Sequence, residues 1–168
     1  MSITPNFRTE VNFTSKFEKN NHSKQFLLIG SCFSSEMSLF FKKYCFGFLN
    51  PYGTIYNPIS LAKNLEMLVN NEPFSKRNLT TNNGVYLSWN HSGKYYNNNP
   101  ELLLEKLNSE QENTFKTFKN NSTLFVTFGT SKLYELKETN EVVANCHKNI
   151  STIFNTRRAT INEVVNSW

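Results

Sequence analysis

The stretch Phe26-Leu27-Leu28-Ile29-Gly30-Ser31-Cys32-Phe33-Ser34 constrains this chain more than any other. Four apolar residues closed by a glycine and two small nucleophilic side chains, then a mixed polar and apolar segment, read as strand, tight turn and helix. The segment Thr123-Leu124-Phe125-Val126-Thr127-Phe128-Gly129-Thr130-Ser131 repeats the design, with β-formers, a glycine and then hydroxyl residues. Two strands that end this way, with helical patterns between them, predict an α/β fold built on a parallel sheet, its ligand crevice outside the strands' carboxyl ends. A side chain at the first turn would feel the free N–H groups and positive dipole end of the helix that follows, which favour a thiolate or an alkoxide. Cys32 and Ser31 are therefore candidate nucleophiles, with a small buried hydrophobe as the other reading of Cys32.

A chain of 168 residues suffices for one domain with its own core and is short for two. The net charge is +5, but the lysines lie scattered among asparagines with no basic run or arginine/aromatic repeat. Nucleic acid is therefore not an expected partner. Cys32, Cys45 and Cys146 are an odd number and lack CxxC spacing, which implies free thiols in a reducing compartment. With no signal-peptide pattern at the start and no window of membrane-spanning length, the expectation is a cytoplasmic protein without a membrane partner. His22, His91 and His147 show no ligand spacing with the acids, so neither a metal nor a cofactor is expected.

Residues 1–25 are polar with scattered Phe7, Phe13 and Phe17, and read as a surface arm. In residues 34–44, Met37, Phe40, Phe41 and Tyr44 recur at helical spacing and predict one apolar stripe. Asn50-Pro51-Tyr52-Gly53-Thr54-Ile55-Tyr56-Asn57-Pro58 is a rigid loop, two Asn-Pro pairs around a glycine. It is either a structural turn, or a source of a Gly53 N–H and an Asn57 amide near Cys32. A second helix follows over 60–69, with Leu61, Leu65 and Leu68 on one face. Residues 70–100 are rich in asparagine and carry Trp89, His91, Tyr95 and Tyr96, the pattern of a lid or insertion over the core. A long helix over Pro100–Phe118, a hairpin around Thr139-Asn140 and a closing helix over 160–168 complete the pattern. The second hairpin arm runs into Asn145-Cys146-His147-Lys148, whose adjacent Cys and His are not a dyad by themselves, because consecutive strand residues point to opposite faces.

Several motifs, in order, carry a family resemblance: Leu28-Ile29-Gly30-Ser31-Cys32-Phe33-Ser34, the Asn50 to Pro58 loop, Trp89-Asn90-His91-Ser92, Thr127-Phe128-Gly129-Thr130, and Val143-Ala144-Asn145-Cys146-His147-Lys148. Phe154-Asn155-Thr156-Arg157-Arg158 and Glu163-Val164-Val165-Asn166-Ser167-Trp168 extend it to the last residue. Together they resemble the GSCFA domain family, with Ser34 where the family name has alanine. That family is similar in turn to the SGNH/GDSL hydrolases. The resemblance implies a flavodoxin-like three-layer sandwich with a mostly parallel sheet, of which residues 1–168 would be the N-terminal part of a single domain, truncated at its C-terminus. It also implies ester hydrolysis or acyl transfer.

Carried over residue by residue, the resemblance puts Gly30 on the glycine of the SGNH Gly-Asp-Ser, Ser31 on its aspartate and Cys32 on its nucleophile. Gly53 falls on the second oxyanion donor, and Gly129-Thr130 on the third block, Thr130 replacing an asparagine. The family's base lies in a second half that this chain does not contain, unless His147 or His91 takes the role. Asn145, His147, Lys148 and His91 would otherwise be pocket residues, with Lys148 and His147 placed to bind an acidic or hydroxylated acceptor such as a glycan. A binding module without turnover, using Trp89, Tyr95 and Tyr96, is the alternative.

Overall fold

The computed structural model describes residues 20–118 and 122–168. Residues 1–19 of the expected N-terminal arm lie outside them. The elements in chain order are β1 (Gln25–Gly30), α1 (Cys32–Lys43), β2 (Gly47–Leu49), α2 (Pro58–Val69), β3 (Leu79–Asn82), β4 (Val85–Ser88), β5 (Tyr96–Asn97), α3 (Pro100–Phe118), β6 (Ser122–Thr127), β7 (Lys132–Leu136), β8 (Val142–Val143), β9 (Phe154–Arg158) and α4 (Ile161–Ser167).

The protein is a mixed α/β fold with one parallel sheet of three strands, in the order β2-β1-β6. β1 is its centre and is buried from Phe26 to Gly30. Because successive strand side chains face opposite ways, Phe26 and Leu28 join Phe41 of α1 in one cluster. Leu27 and Ile29 join Leu61 and Leu68 of α2 and Leu103 and Leu107 of α3 in the other. Both faces of the central strand are thus covered, which is what its unbroken apolar run requires.

α1 begins two residues before its predicted start and buries a face that shares only Met37 and Phe41 with the expected stripe. Ser34, Ser38 and Phe41 point inward, while Phe40 and Tyr44 are exposed. Of the expected stripe, Phe41 and Met37 pack on the core while Phe40 and Tyr44 do not, and the buried face is completed by serines at the polar sheet end: Ser34 Oγ lies 2.9 Å from Thr127 Oγ1, and Ser38 donates to the Ser34 carbonyl. α2 starts at the Asn57 cap, whose Oδ1 accepts from the Ser60 N–H at 2.8 Å, with Pro58 in the first turn. α3 runs over the predicted span, Asn99 accepting from the Leu102 N–H.

Residues 70–100 fold into the antiparallel sheet β3-β4-β5, with Asn83 and Gly84 at positive φ in the β3–β4 turn. Phe74 and Tyr95 from this segment belong to the main core. β7 pairs antiparallel with β8, as the hairpin pattern predicts, and with β9 on its other edge. β9 has no apolar alternation, only Phe154 being buried, and so gave no strand signal. Among the described residues no helix is long and apolar enough to cross a membrane.

Candidate functional site

The two glycine-terminated segments meet at one rim of the parallel sheet. Gly30 pairs with Thr127 across β1 and β6. A Cβ on Gly129 would stand 3.1 Å from the Ser31 Cβ and 2.6 Å from the Tyr56 ring. On the other side of β1, Thr54 bridges to Gly30, and Ile55 N–H donates to the Gly30 carbonyl at 2.7 Å. The Asn-Pro loop is thus docked on the strand end, and Thr54 Oγ1 ties it to Ser35 of α1 at 2.7 Å.

Ser31 and Cys32 have different environments. Ser31 precedes α1 at the N-cap position without a side-chain cap bond and is buried; its N–H donates to the Thr127 carbonyl and hydroxyl, both at 3.0 Å, and its Oγ lies 3.1 Å from the same hydroxyl. Cys32, the first residue of α1, is exposed, and all three cysteines are free. A first-turn helix N–H has no intrahelical acceptor, and that of Cys32 has none elsewhere among the described residues. Nor has the N–H of Gly53, a residue at φ +69 beneath the Ser92 side chain.

The other predicted residues are engaged differently. The N–H groups of Gly129 and Thr130 both donate to the Tyr56 carbonyl, at 2.9 and 3.1 Å. The Thr130 hydroxyl accepts from the Lys132 N–H and keeps its own proton for a further acceptor. Asn57 is buried, its Nδ2 donating to the Val143 carbonyl at 3.2 Å while its Oδ1 caps α2, so its amide joins α2 to β8.

His91 is packed among the rings of Tyr52, Phe74 and Tyr95, with Nδ1 2.7 Å from the Ser88 hydroxyl. Burial, with smaller contributions from His147 and Lys94, pushes its pKa down to about 3, so the ring is neutral at pH 7. Its neighbour Asn90 donates its Nδ2 to Asn64 Oδ1 of α2, and Asn64 Nδ2 donates to the Asn90 backbone carbonyl. His147 is buried as well, and its Nε2–H donates to the Ser88 carbonyl at 2.7 Å; burial lowers its pKa, and this bond partly restores it. Asn145 accepts the His147 N–H at 2.8 Å, while Lys148 is exposed. His22, the remaining histidine, bonds the Tyr44 carbonyl. None of the three histidines is hydrogen-bonded to Ser31 or Cys32.

Sequence reasoning missed Thr127, the hydroxyl that holds the turn, which its place in the strand motif disguised as a β-former. Thr54 was passed over in the same way, as one more residue of the loop. No group of three or more potential metal ligands occurs among the described residues. Residues 25–168 match the model of the family described as the GSCFA family. No curated protein and no solved structure matches the chain.

Proposed function

This chain belongs to the GSCFA family, and from that premise we propose that it is an ester hydrolase or acyltransferase of the SGNH type on a flavodoxin-like sheet, with the Cys32 thiol as its nucleophile. The observation that carries the choice of Cys32 over Ser31 is their contrast at the turn: the Ser31 hydroxyl is buried against Thr127, whereas the thiol is exposed at the helix start. Ser31 is then a positioning residue.

In this reading the thiolate attacks the ester carbonyl carbon, and the carbonyl π electrons move onto oxygen. The free N–H groups of Cys32 and Gly53, with the Thr130 hydroxyl, are the available donors for that oxyanion. Collapse of the tetrahedral intermediate breaks the bond to the alcohol oxygen, which leaves with a proton and gives a thioester on Cys32. Water or an acceptor hydroxyl then attacks the thioester and regenerates the thiol. A general base must take the thiol proton, and no histidine hydrogen-bonds to the turn, so the reading draws it from outside the described residues.

The test is alkylation with iodoacetamide and acylation with p-nitrophenyl acetate, each mapped by mass spectrometry, with a fluorophosphonate for the serine alternative. Cys45 is also exposed and serves as the internal reference. Cys32 is expected to react faster than Cys45 with iodoacetamide and to carry the acetyl group. Equal rates at the two cysteines, or phosphonylation of Ser31 alone, would overturn the assignment.

A further inference from the structure

On the face formed by β3, β4 and the loop after β8 there is a cleft of about 290 Å³, lined by Asn82, Val85, Leu87, Asn145, His147 and Lys148 among others. Its volume is near the lower limit of small-molecule sites, which begin at about 300 Å³, and fits one ring better than an extended ligand.

The construction of the cleft centres on His147. Both His147 and Lys148 stand at positive φ, +49 and +56, which non-glycine residues rarely adopt. Three hydrogen bonds hold His147 there: its N–H to Asn145 Oδ1 at 2.8 Å, its carbonyl from Asn82 Nδ2 at 2.7 Å, and its Nε2–H to the Ser88 carbonyl at 2.7 Å. A carbonyl only accepts, so the proton sits on Nε2 and Nδ1 carries a lone pair. That nitrogen has no hydrogen-bond partner among the described residues and is not among the buried unpaired polar atoms, so it is open to the cleft while the rest of the ring is packed. It faces Gly93, where a Cβ would come to 4.0 Å, and Gly93 is part of the cleft wall. An accessible acceptor with a fixed tautomer and an open lone pair is placed to receive a hydroxyl proton.

The remaining groups complement it. Asn145 and Asn82 each use one end of the amide to hold His147, which leaves the Nδ2 hydrogens of Asn145 and the Oδ1 of Asn82 for a ligand. No carboxylate lines the cleft, and Lys148 forms no ion pair among the described residues. Val85 and Leu87 supply an apolar wall for C–H groups.

We infer that this cleft binds a sugar acid, one ring hydroxyl donating to His147 Nδ1 and the carboxylate pairing with Lys148. The assignment names a ligand class for a site separate from the Cys32 turn, and it holds whether or not Cys32 is catalytic.

The experiment is an NMR titration of the whole chain with D-glucuronate, with D-glucose and acetate as hydroxyl-only and anion-only probes, repeated on Cys32→Ser and Lys148→Gln. Saturable amide shifts at residues 82–87 and 145–148 are expected with glucuronate. The His147 Nδ1 resonance should move as the nitrogen accepts a hydrogen bond. Lys148→Gln should bind about tenfold more weakly, the worth of one charge-assisted hydrogen bond, and Cys32→Ser as the parent does. Acetate shifting the same residues as strongly as glucuronate would reduce the site to an anion patch and sink the proposal. So would shifts that fall elsewhere, that Lys148→Gln leaves unchanged, or that do not arise at all. Because the readout needs no thiol, failure of the esterase reading leaves it standing.

Discussion

The Thr127 hydroxyl lies within hydrogen-bond distance of the Ser31 N–H, the Ser31 hydroxyl and the Ser34 hydroxyl, at 3.0, 3.1 and 2.9 Å. Replacing it by a methyl in Thr127→Val keeps the strand's shape and leaves the Ser31 and Ser34 hydroxyls short of a partner, while the Ser31 N–H keeps the Thr127 carbonyl. The expected cost is about 1–3 kcal/mol in urea unfolding, with slower alkylation of Cys32 as the turn loosens. His91 gives a second test at this scale. Its folded pKa of about 3 lies below the ordinary 6.5, so between these values the unfolded chain takes up a proton that the folded chain refuses. The sign follows: stability from this residue is whole above about pH 6.5 and is lost as pH falls towards 3, at up to about 1.4 kcal/mol per pH unit. Urea midpoints measured from pH 7 to pH 4 should show the fall, and His91→Gln should flatten it. The sequence exposed His91 as a titratable group with Tyr95 close by, but not that Tyr52 and Phe74 would close around it, since those two residues are distant in the chain.

Among the elements, α2 shows most plainly how the loop before it is fixed. Asn57 caps the helix and also bonds the Val143 carbonyl of β8. Asn57→Ala should therefore cost more than a cap alone, about 2 kcal/mol in all, whereas Asn57→Ser keeps a capping oxygen, loses only the Val143 bond and should cost less. Chemical denaturation of the two variants orders them. At the end of β1, Gly30 has φ +137, and a Cβ there would land on the Thr127 carbonyl oxygen. Backbone on backbone has no room to yield, so Gly30→Ala should break the β1–β6 register, read as lost cooperativity in thermal unfolding. Helices were legible from their apolar spacing, as over Leu61, Leu65 and Leu68, whereas the capping roles of Asn57 and Asn99 became visible only in the structure. The β3–β4 hairpin carried its own signal in Asn83-Gly84, which the density of asparagines around it concealed.

Over the whole molecule, stability should be uneven. β1 is buried on both faces, whereas α4 has no buried residue and is held through the Thr160–Glu163 capping box, Arg157 and the Trp168 indole donating to the Pro58 carbonyl. Hydrogen exchange is expected to leave the β1 amides protected until global unfolding and to free those of α4 first; equal protection of the two would contradict this account. By itself the sequence determined the central strand, its glycine turn, the helices on either side and the kinship of the chain, because apolar runs, caps and turn residues act over a few neighbours. Only the tertiary structure decided that Thr127 would hold the turn, that Ser31 would be buried and Cys32 exposed, and that His147 would face a cleft. Those outcomes depend on which side chains meet across distant segments, and no local pattern encodes a meeting.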